Sequence, residues 1–380
     1  MRVFVIAGEA SGDRLGAALM DGLNSLRADV EFIGVGGPMM QARGLESLFP
    51  MDELSVMGLA EIVPKYFHLK ARLEQTAQAA IAARPDVMVT IDSPDFCLRV
   101  ARRVKRATSI RTVHYVAPSV WAWRSGRAGK MAQVIDHVLA LLPFEPPLMR
   151  AAGMECDFVG HPVVSEPIAD EREIMAMRAR NDLGHAPVLL ALPGSRRSEV
   201  TRLAPVFADT LRRVLADRPD MRVVVPTTSN LVALMPDLIA DWPGNPVLLT
   251  PDQPDFPADK RAAFKTAQGA LAASGTVSLE LAANDTPMVI AYDMSPLSRF
   301  VISGMLKVDT VTLVNLVSDT RAVPEFIGKS CRAERVAPAV ARMLDAPEAQ
   351  HTAMSLTMER LGRGGAAPGL RAAQAILDRL

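Results

Sequence analysis

The sequence predicts an α/β protein built from two Rossmann-like halves, each a parallel sheet wound with helices. Three observations carry that expectation. Short apolar runs rich in Val and Ile, bounded by Gly, Pro and Ser, alternate with longer helix-period segments, the pattern of parallel strands joined by crossover helices. The runs are near-continuously apolar rather than alternating, as strands buried on both faces should be. The length of 380 residues, at about 150 per domain, suits two domains with shared elements.

In the first half, strands are expected at Val3–Ala7, Val30–Val35, Asp86–Ile91, Thr112–Val116 and His137–Leu142, with helices beginning near Asp13, Gly58, Asp95 and Ser125. After Val159 the Gly and Pro cluster GHPVVSEP lacks a core pattern and leads into a charged helix from about Asp170 to Asn181, so it reads as the domain linker. A second alternation follows, with strands at Pro187–Leu192, Met221–Val225, Pro246–Leu249, Ala270–Ala273 and Pro287–Tyr292. The expected boundaries are 1–163, 164–355 and a closing helical segment 356–380. The terminal PGLRAAQAILDRL makes an amphipathic helix whose parent domain its own pattern does not reveal. No repeat of fixed period points to a solenoid or propeller.

Composition narrows the function. Lys plus Arg and Asp plus Glu are 42 each, so no global field gathers nucleic acid and any anion site must be local. Cys97, Cys156 and Cys331 are widely spaced and form no CxxC pair, which supports neither a disulfide framework nor a cysteine zinc site. Only five apolar residues separate Arg2 from Gly8, too few for a signal peptide, and no run approaches the roughly 18 apolar residues of a membrane span. A cytoplasmic protein able to rest on a membrane is the expectation. There is no Asp-x-Asp and the six histidines are scattered, so nothing marks a divalent-metal clamp.

In open α/β sheets ligands bind beyond the carboxyl ends of the strands, which makes the turns after each strand informative. After the first strand stands Gly8-Glu9-Ala10-Ser11-Gly12-Asp13, small residues that let backbone amides approach a ligand. A tight turn capped by Ser11 or Asp13 would account for the same string. Ile91-Asp92-Ser93-Pro94-Asp95 ends the central strand: Asp95 suits the start of a helix, and Asp92 is left facing the crevice as a candidate base for an attacking hydroxyl. The stretch His114 to Arg124 holds two of three tryptophans, Trp121 and Trp123. They form either a domain edge or a wall for a sugar ring or acyl chain, with Arg124 meeting an anion. His114 is equally readable as a core histidine.

Between Arg99 and Lys130 lie nine basic residues and no acidic one, a solvated helix face or a patch for phosphates and anionic lipid heads. In the second half Pro193-Gly194-Ser195-Arg196-Arg197-Ser198-Glu199 ends a strand and opens a helix, the outline of a diphosphate site. Ala273-Ser274-Gly275-Thr276-Val277-Ser278-Leu279-Glu280 repeats the pattern, with Ser274 or Thr276 as cap and Glu280 able to take both hydroxyls of a ribose. Asn315 and the Pro324-Glu325-Phe326 turn add polar groups near that edge.

Together GEASGD, GVGGPMM, IDSPDF, HYVAPSVWAWR, LLPFEP, VGHP, LPGSRRSE, ASGTVSLE and VDTVTLVNLV resemble the lipid-A-disaccharide synthase family, in unbroken order from residue 8 to beyond 325. Ser93 departs from the Ala that members often carry, which leaves Asp92 unaffected. The resemblance implies a GT-B glycosyltransferase, two Rossmann-like parallel-sheet domains facing across a cleft, with the last helix returning to the first domain. It implies transfer of 2,3-diacylglucosamine from its UDP conjugate to 2,3-diacylglucosamine 1-phosphate, giving a β-1,6 disaccharide 1-phosphate and UDP without a cofactor or metal. By the same resemblance Asp92 is the general base; Gly194, Ser195, Arg196, Ser274, Gly275, Thr276, Glu280 and Asn315 serve the donor; Glu9, Ser11, His114, Trp121 and Arg124 serve the acceptor. The anionic surface of the inner membrane is the expected partner, met by the basic patch and by Met57–Leu73 with Lys65, Lys70 and Arg72. A homodimer is compatible with this reading. A UDP-sugar epimerase and a non-catalytic nucleotide-sugar sensor are the rival readings.

Overall fold

In a computed structural model of the chain, residues 1–54, 59–121, 126–294 and 309–380 are described, the side chains of 59–65 excepted. The chain divides into two compact units, Met1–Ser165 with Leu361–Leu380, and Glu166–Arg360.

The first unit is a parallel sheet of seven strands: β1 (Arg2–Ala7), β2 (Glu31–Val35), β3 (Glu46–Ser47), β4 (Val87–Ile91), β5 (Arg111–Tyr115), β6 (His137–Ala140) and β7 (Glu155–Phe158). Their order is β3-β2-β1-β4-β5-β6-β7. Helices α1 (Ala10–Leu26), α2 (Pro38–Gln41), α3 (Leu59–Ala83), α4 (Pro94–Ala107), α5 (Gly126–Met131) and α6 (Glu145–Ala151) connect them. All five residues of β4 are buried, as its continuous apolar run requires.

The second unit carries α7 (Glu171–Arg180), β8 (Val188–Leu192), α8 (Arg197–Ala216), β9 (Arg222–Pro226), α9 (Met235–Ile239), β10 (Val247–Leu249), α10 (Phe256–Thr266), β11 (Gly269–Ala272), α11 (Val277–Ala283) and β12 (Met288–Tyr292). It continues with α12 (Leu313–Ser318), β13 (Glu325–Ile327), α13 (Ala333–Asp345) and α14 (Glu348–Arg360). Its six parallel strands run β10-β9-β8-β11-β12-β13. One face of α8 (Val200, Leu203, Ala204, Phe207, Leu211, Val214), at helical spacing, is buried with Val223 and Val225 of β9.

Every strand expected from the sequence is present within a residue or two. The three that were not expected, β3, β7 and β13, are sheet edges. An edge strand is half solvated and tolerates charge, so Glu46, Glu155, Asp157 and Glu325 break the apolar run that reveals an inner strand.

The last helix, α15 (Pro368–Leu377), lies against α1. The two backbones approach so closely that a Cβ on Gly22 would stand 2.5 Å from the Gly369 carbonyl oxygen, and one on Gly369 only 2.3 Å from that of Ala18. Beyond the helix Arg379 grips Asp157 with Nε–Oδ2 2.7 Å and Nη2–Oδ1 3.0 Å, while Arg371 donates to the Phe158 carbonyl at 2.8 Å. The closing segment begins later than the sequence suggests. Residues 356–360 finish α14 in the second unit, where Thr357 Oγ1 donates to the Val314 carbonyl at 3.2 Å and Arg360 Nη1 to that of Val317 at 2.7 Å. The handovers therefore fall at 165/166 and 360/361 rather than 163/164 and 355/356.

Candidate active site

In the first sheet the strand order reverses between β1 and β4, and the turns after these two neighbours open a crevice at their carboxyl ends. Both turns carry carboxylates. Gly8 follows β1 where a Cβ would lie 2.6 Å from Ser93 Oγ, so a side chain there would force the two turns to shift. Asp92 and Ser93 have φ of +49° and +43°, successive left-handed non-glycine residues at a cost of about 1–2 kcal/mol each. The surroundings hold this shape: Asp92 N–H donates to the Tyr115 carbonyl at 3.0 Å, and the Ser93 carbonyl accepts Phe96 and Cys97 N–H at 3.1 and 3.0 Å.

This backbone sets the Asp92 carboxylate in hydrogen-bond contact with Glu9. Burial first, then the Asp92 charge and hydrogen bond, raise Glu9 above the usual carboxylate range, while the Ser11 hydroxyl favours its charged form. Glu9 is thus held toward the form that can donate to Asp92. The arrangement offers one carboxylate to accept a proton, braced by a second carboxyl and a hydroxyl.

Asp13 does other work. Neither it nor Ser11 caps α1; it is buried, and its carboxylate accepts N–H groups of Gly37 and Met39 at 2.9 Å and Met40 at 3.1 Å, fixing the GVGGPMM turn beside the crevice.

His114 belongs to the core. It is 1% exposed in β5, its Nδ1 is 2.8 Å from Thr90 Oγ1, and burial lowers it to about 4, so it is a neutral, partnered ring rather than an acceptor group. One residue past β5, Val116 has φ +87°, rare for a β-branched side chain, at the start of the aromatic strip. Trp121 is half-buried, edge-on to Phe144 with ring centroids 5.4 Å apart. Trp123 and Arg124 lie outside the described residues.

The second sheet repeats the design. Its order reverses between β8 and β11, so the turns Pro193–Arg196 and Ala273–Thr276 are neighbours, joined by Ala273 N–H to the Leu192 carbonyl at 2.8 Å. Gly194 at φ +122° turns the chain into α8, with Arg196 as its N-cap residue and 66% of that side chain exposed. Amides and a guanidinium presented at the start of a 20-residue helix suit a diphosphate. Ser274 is half-buried and Gly275 and Thr276 are exposed on the adjoining turn, and neither Ser274 nor Thr276 makes a side-chain cap to α11. Glu280, one turn into α11, is half-exposed and paired with Lys260 Nζ at 2.7 Å.

Asn315, in α12, is enclosed by its own loop. It is 1% exposed; its amide nitrogen donates to the Val323 carbonyl at 2.9 Å and to Thr310 Oγ1 at 3.2 Å, and its oxygen accepts Val323 N–H at 3.0 Å. With its polar atoms engaged this way, it staples its own loop.

A family model of lipid-A-disaccharide synthetase matches residues 3–369. A lipid-A-disaccharide synthase of Ruegeria pomeroyi is 65% identical over 384 residues, covering 100% of this chain and 96% of that protein. One from Rhodospirillum centenum is 46% identical over 382 residues, covering 99% and 94%. Among solved structures, MnaA of S. aureus in complex with UDP aligns at TM-score 0.65 and 15% identity, covering 100% of this chain and 95% of that one. UDP-GlcNAc 2-epimerase of Neisseria meningitidis bound to UDP-GlcNAc aligns at 0.63 and 10%, covering 100% and 99%. At such identities the structural likeness speaks for the fold alone, paired parallel-sheet α/β domains of the GT-B class. The sequence relatives decide between enzymes that share it, and the chain belongs to the lipid-A-disaccharide synthetase family of glycosyltransferases.

Proposed function

We propose that this protein transfers 2,3-diacylglucosamine from UDP-2,3-diacylglucosamine to the 6-hydroxyl of 2,3-diacylglucosamine 1-phosphate with inversion, releasing UDP. The observation that carries the proposal is the chemistry at the two strand-order reversals: a braced aspartate at one, a guanidinium with turn amides at the other. Asp92 accepts the proton of the acceptor hydroxyl as its oxygen bonds to the anomeric carbon. The bond to the diphosphate breaks on the opposite side, so an α-linked donor gives a β product in one displacement. Arg196 receives the charge on the departing diphosphate. Glu280 and the Ser274–Thr276 turn hold the nucleoside, which requires Glu280 to share its carboxylate between Lys260 and the ribose. On the first unit Glu9 and Ser11 orient the acceptor around Asp92, and Trp121 offers an apolar wall.

Both substrates carry acyl chains, each buried CH₂ being worth about 0.8 kcal/mol, so they stay in the bilayer and the enzyme comes to them. Tyr66 and Phe67 of α3, 52% and 81% exposed and stacked edge-on, make an apolar knob beside exposed Lys70 that suits a membrane surface. The basic patch contributes less than its nine charges suggest: Arg103, Lys105 and Arg111 are paired with Glu74, Asp136 and Glu155. Among the described residues no helix is long and apolar enough to cross a membrane.

The test is direct: purified protein, both acylated substrates, a chelator, and mass detection of the disaccharide phosphate. Asp92→Asn should slow its formation by about 10²–10⁴-fold. Unaltered turnover in that variant removes Asp92 as base, and an isomerised UDP-sugar formed from donor alone supports the epimerase reading instead.

A further inference from the structure

Glu199 lies three residues past Arg196, in the first turn of α8, and its side chain is 14% exposed against 66% for Arg196. Its Oε1 pairs with Arg196 Nη1 at 2.9 Å and accepts the Tyr292 hydroxyl from β12 at 3.4 Å. Its Oε2 accepts Ser195 N–H at 3.3 Å. The carboxylate sits tight beneath the turn: a Cβ on Gly194 would stand 2.9 Å from Oε2 and 3.0 Å from the Glu199 Cβ. From the other flank, Asn230 Nδ2 donates to the Ser195 carbonyl at 3.0 Å. The turn is thus gripped by Glu199 and Asn230, which follow β8 and β9, and Glu199 is itself held by Tyr292 at the end of β12.

An exposed arginine is rotamer-rich, and fixing it before a ligand arrives lowers the entropy lost on binding. Anchoring one nitrogen of the guanidinium leaves its remaining donors for an anion.

We propose that Glu199 is a positioning residue for the donor diphosphate, holding Arg196 and the Gly194–Ser195 turn in binding geometry without touching the ligand. This rests on the assignment of Arg196 to the donor. Burial, then the charge and hydrogen bond of Glu199, raise the Tyr292 phenol, so Tyr292 stays a donor to the carboxylate at neutral pH.

The experiment is a double-mutant cycle on UDP affinity, read by ligand-observed NMR on the full chain, with thermal melting to confirm that each variant is folded. Glu199→Gln keeps an acceptor for Ser195 N–H and loses the ion pair. Arg196→Ala should weaken UDP by about ten- to a hundredfold. Glu199→Gln alone should weaken it by roughly three- to tenfold, and should cost nothing further when combined with Arg196→Ala, because Glu199 acts through that guanidinium. Additive losses would overturn the proposal by giving Glu199 an independent role, and tighter UDP binding in Glu199→Gln would make the carboxylate a competitor of the diphosphate. If Arg196→Ala leaves UDP affinity unchanged, it is the donor-site assignment that fails.

Discussion

Replacing Glu145 by glutamine should make the protein more stable, and the gain should grow with pH. Glu145 opens α6 at 4% exposure, and its Oε2 accepts the Leu142 N–H at 3.0 Å. Burial lifts its carboxyl from 4.5 to about 7, against the charge-favouring Leu142 amide. A carboxyl raised by folding contributes stability that is fully present below its unfolded value and is lost as pH climbs to the folded one. With values of 4.5 and about 7, the loss relative to low pH is about 1 kcal/mol at pH 5 and about 3 kcal/mol at pH 8. Glutamine never ionises, keeps an acceptor for Leu142, and matches the protonated side chain in shape. The variant should therefore gain roughly 2 to 3 kcal/mol over wild type between pH 5 and pH 8. Denaturant unfolding of both proteins at the two pH values, followed by circular dichroism and tryptophan fluorescence, measures it. Groups common to both proteins cancel in the difference. A gap between the proteins that is equal at pH 5 and pH 8 would refute the claim that burial raises the Glu145 carboxyl in the fold.

His114→Gln should retain transfer activity within about threefold, in contrast to Asp92→Asn; a loss beyond a hundredfold would return His114 to the site. Its ring, lowered to about 4, contributes stability that is present above the ordinary histidine range and disappears as pH falls toward 4, so the variant should lose less stability than wild type on acidification. Tyr66→Ser with Phe67→Ser should reduce binding to anionic vesicles. Raising salt from about 0.1 to 1 M, which shortens the screening length from roughly 10 to 3 Å, should release wild type further. Vesicle binding that ignores both changes would remove this face from the membrane.

The inner strands were legible because burial on both faces writes itself as uninterrupted Val, Ile and Leu, as in β4 and β8. The edges were not, since a strand such as Glu155–Phe158 satisfies only one neighbour and carries charges that bond elsewhere. Residues of the candidate site were found because they follow strands. Which turns adjoin depends on strand order, and that is a long-range fact: Glu9 and Asp92 are 83 residues apart in sequence yet in hydrogen-bond contact. The least legible polar residues are those whose partners are unseen in sequence. Asn315 and His114 look ligand-ready until Val323 and Thr90 are known to engage them. Glu199 was overlooked although its spacing from the Ser195 amide is that of a side chain folding back on its own helix start, a signal that was available.

The crossing of Gly22 and Gly369 has a consequence for how the polypeptide is made. The small-residue flank of α1 emerges from the ribosome early, but the helix that covers it is translated only after the whole of the second unit, residues 166–360, has appeared. The amino-terminal sheet must therefore wait, incompletely sealed, while its neighbour is synthesised and folds. Nascent chains paused before residue 361 should display that flank to chaperones and proteases, and completion of the last twenty residues should withdraw it.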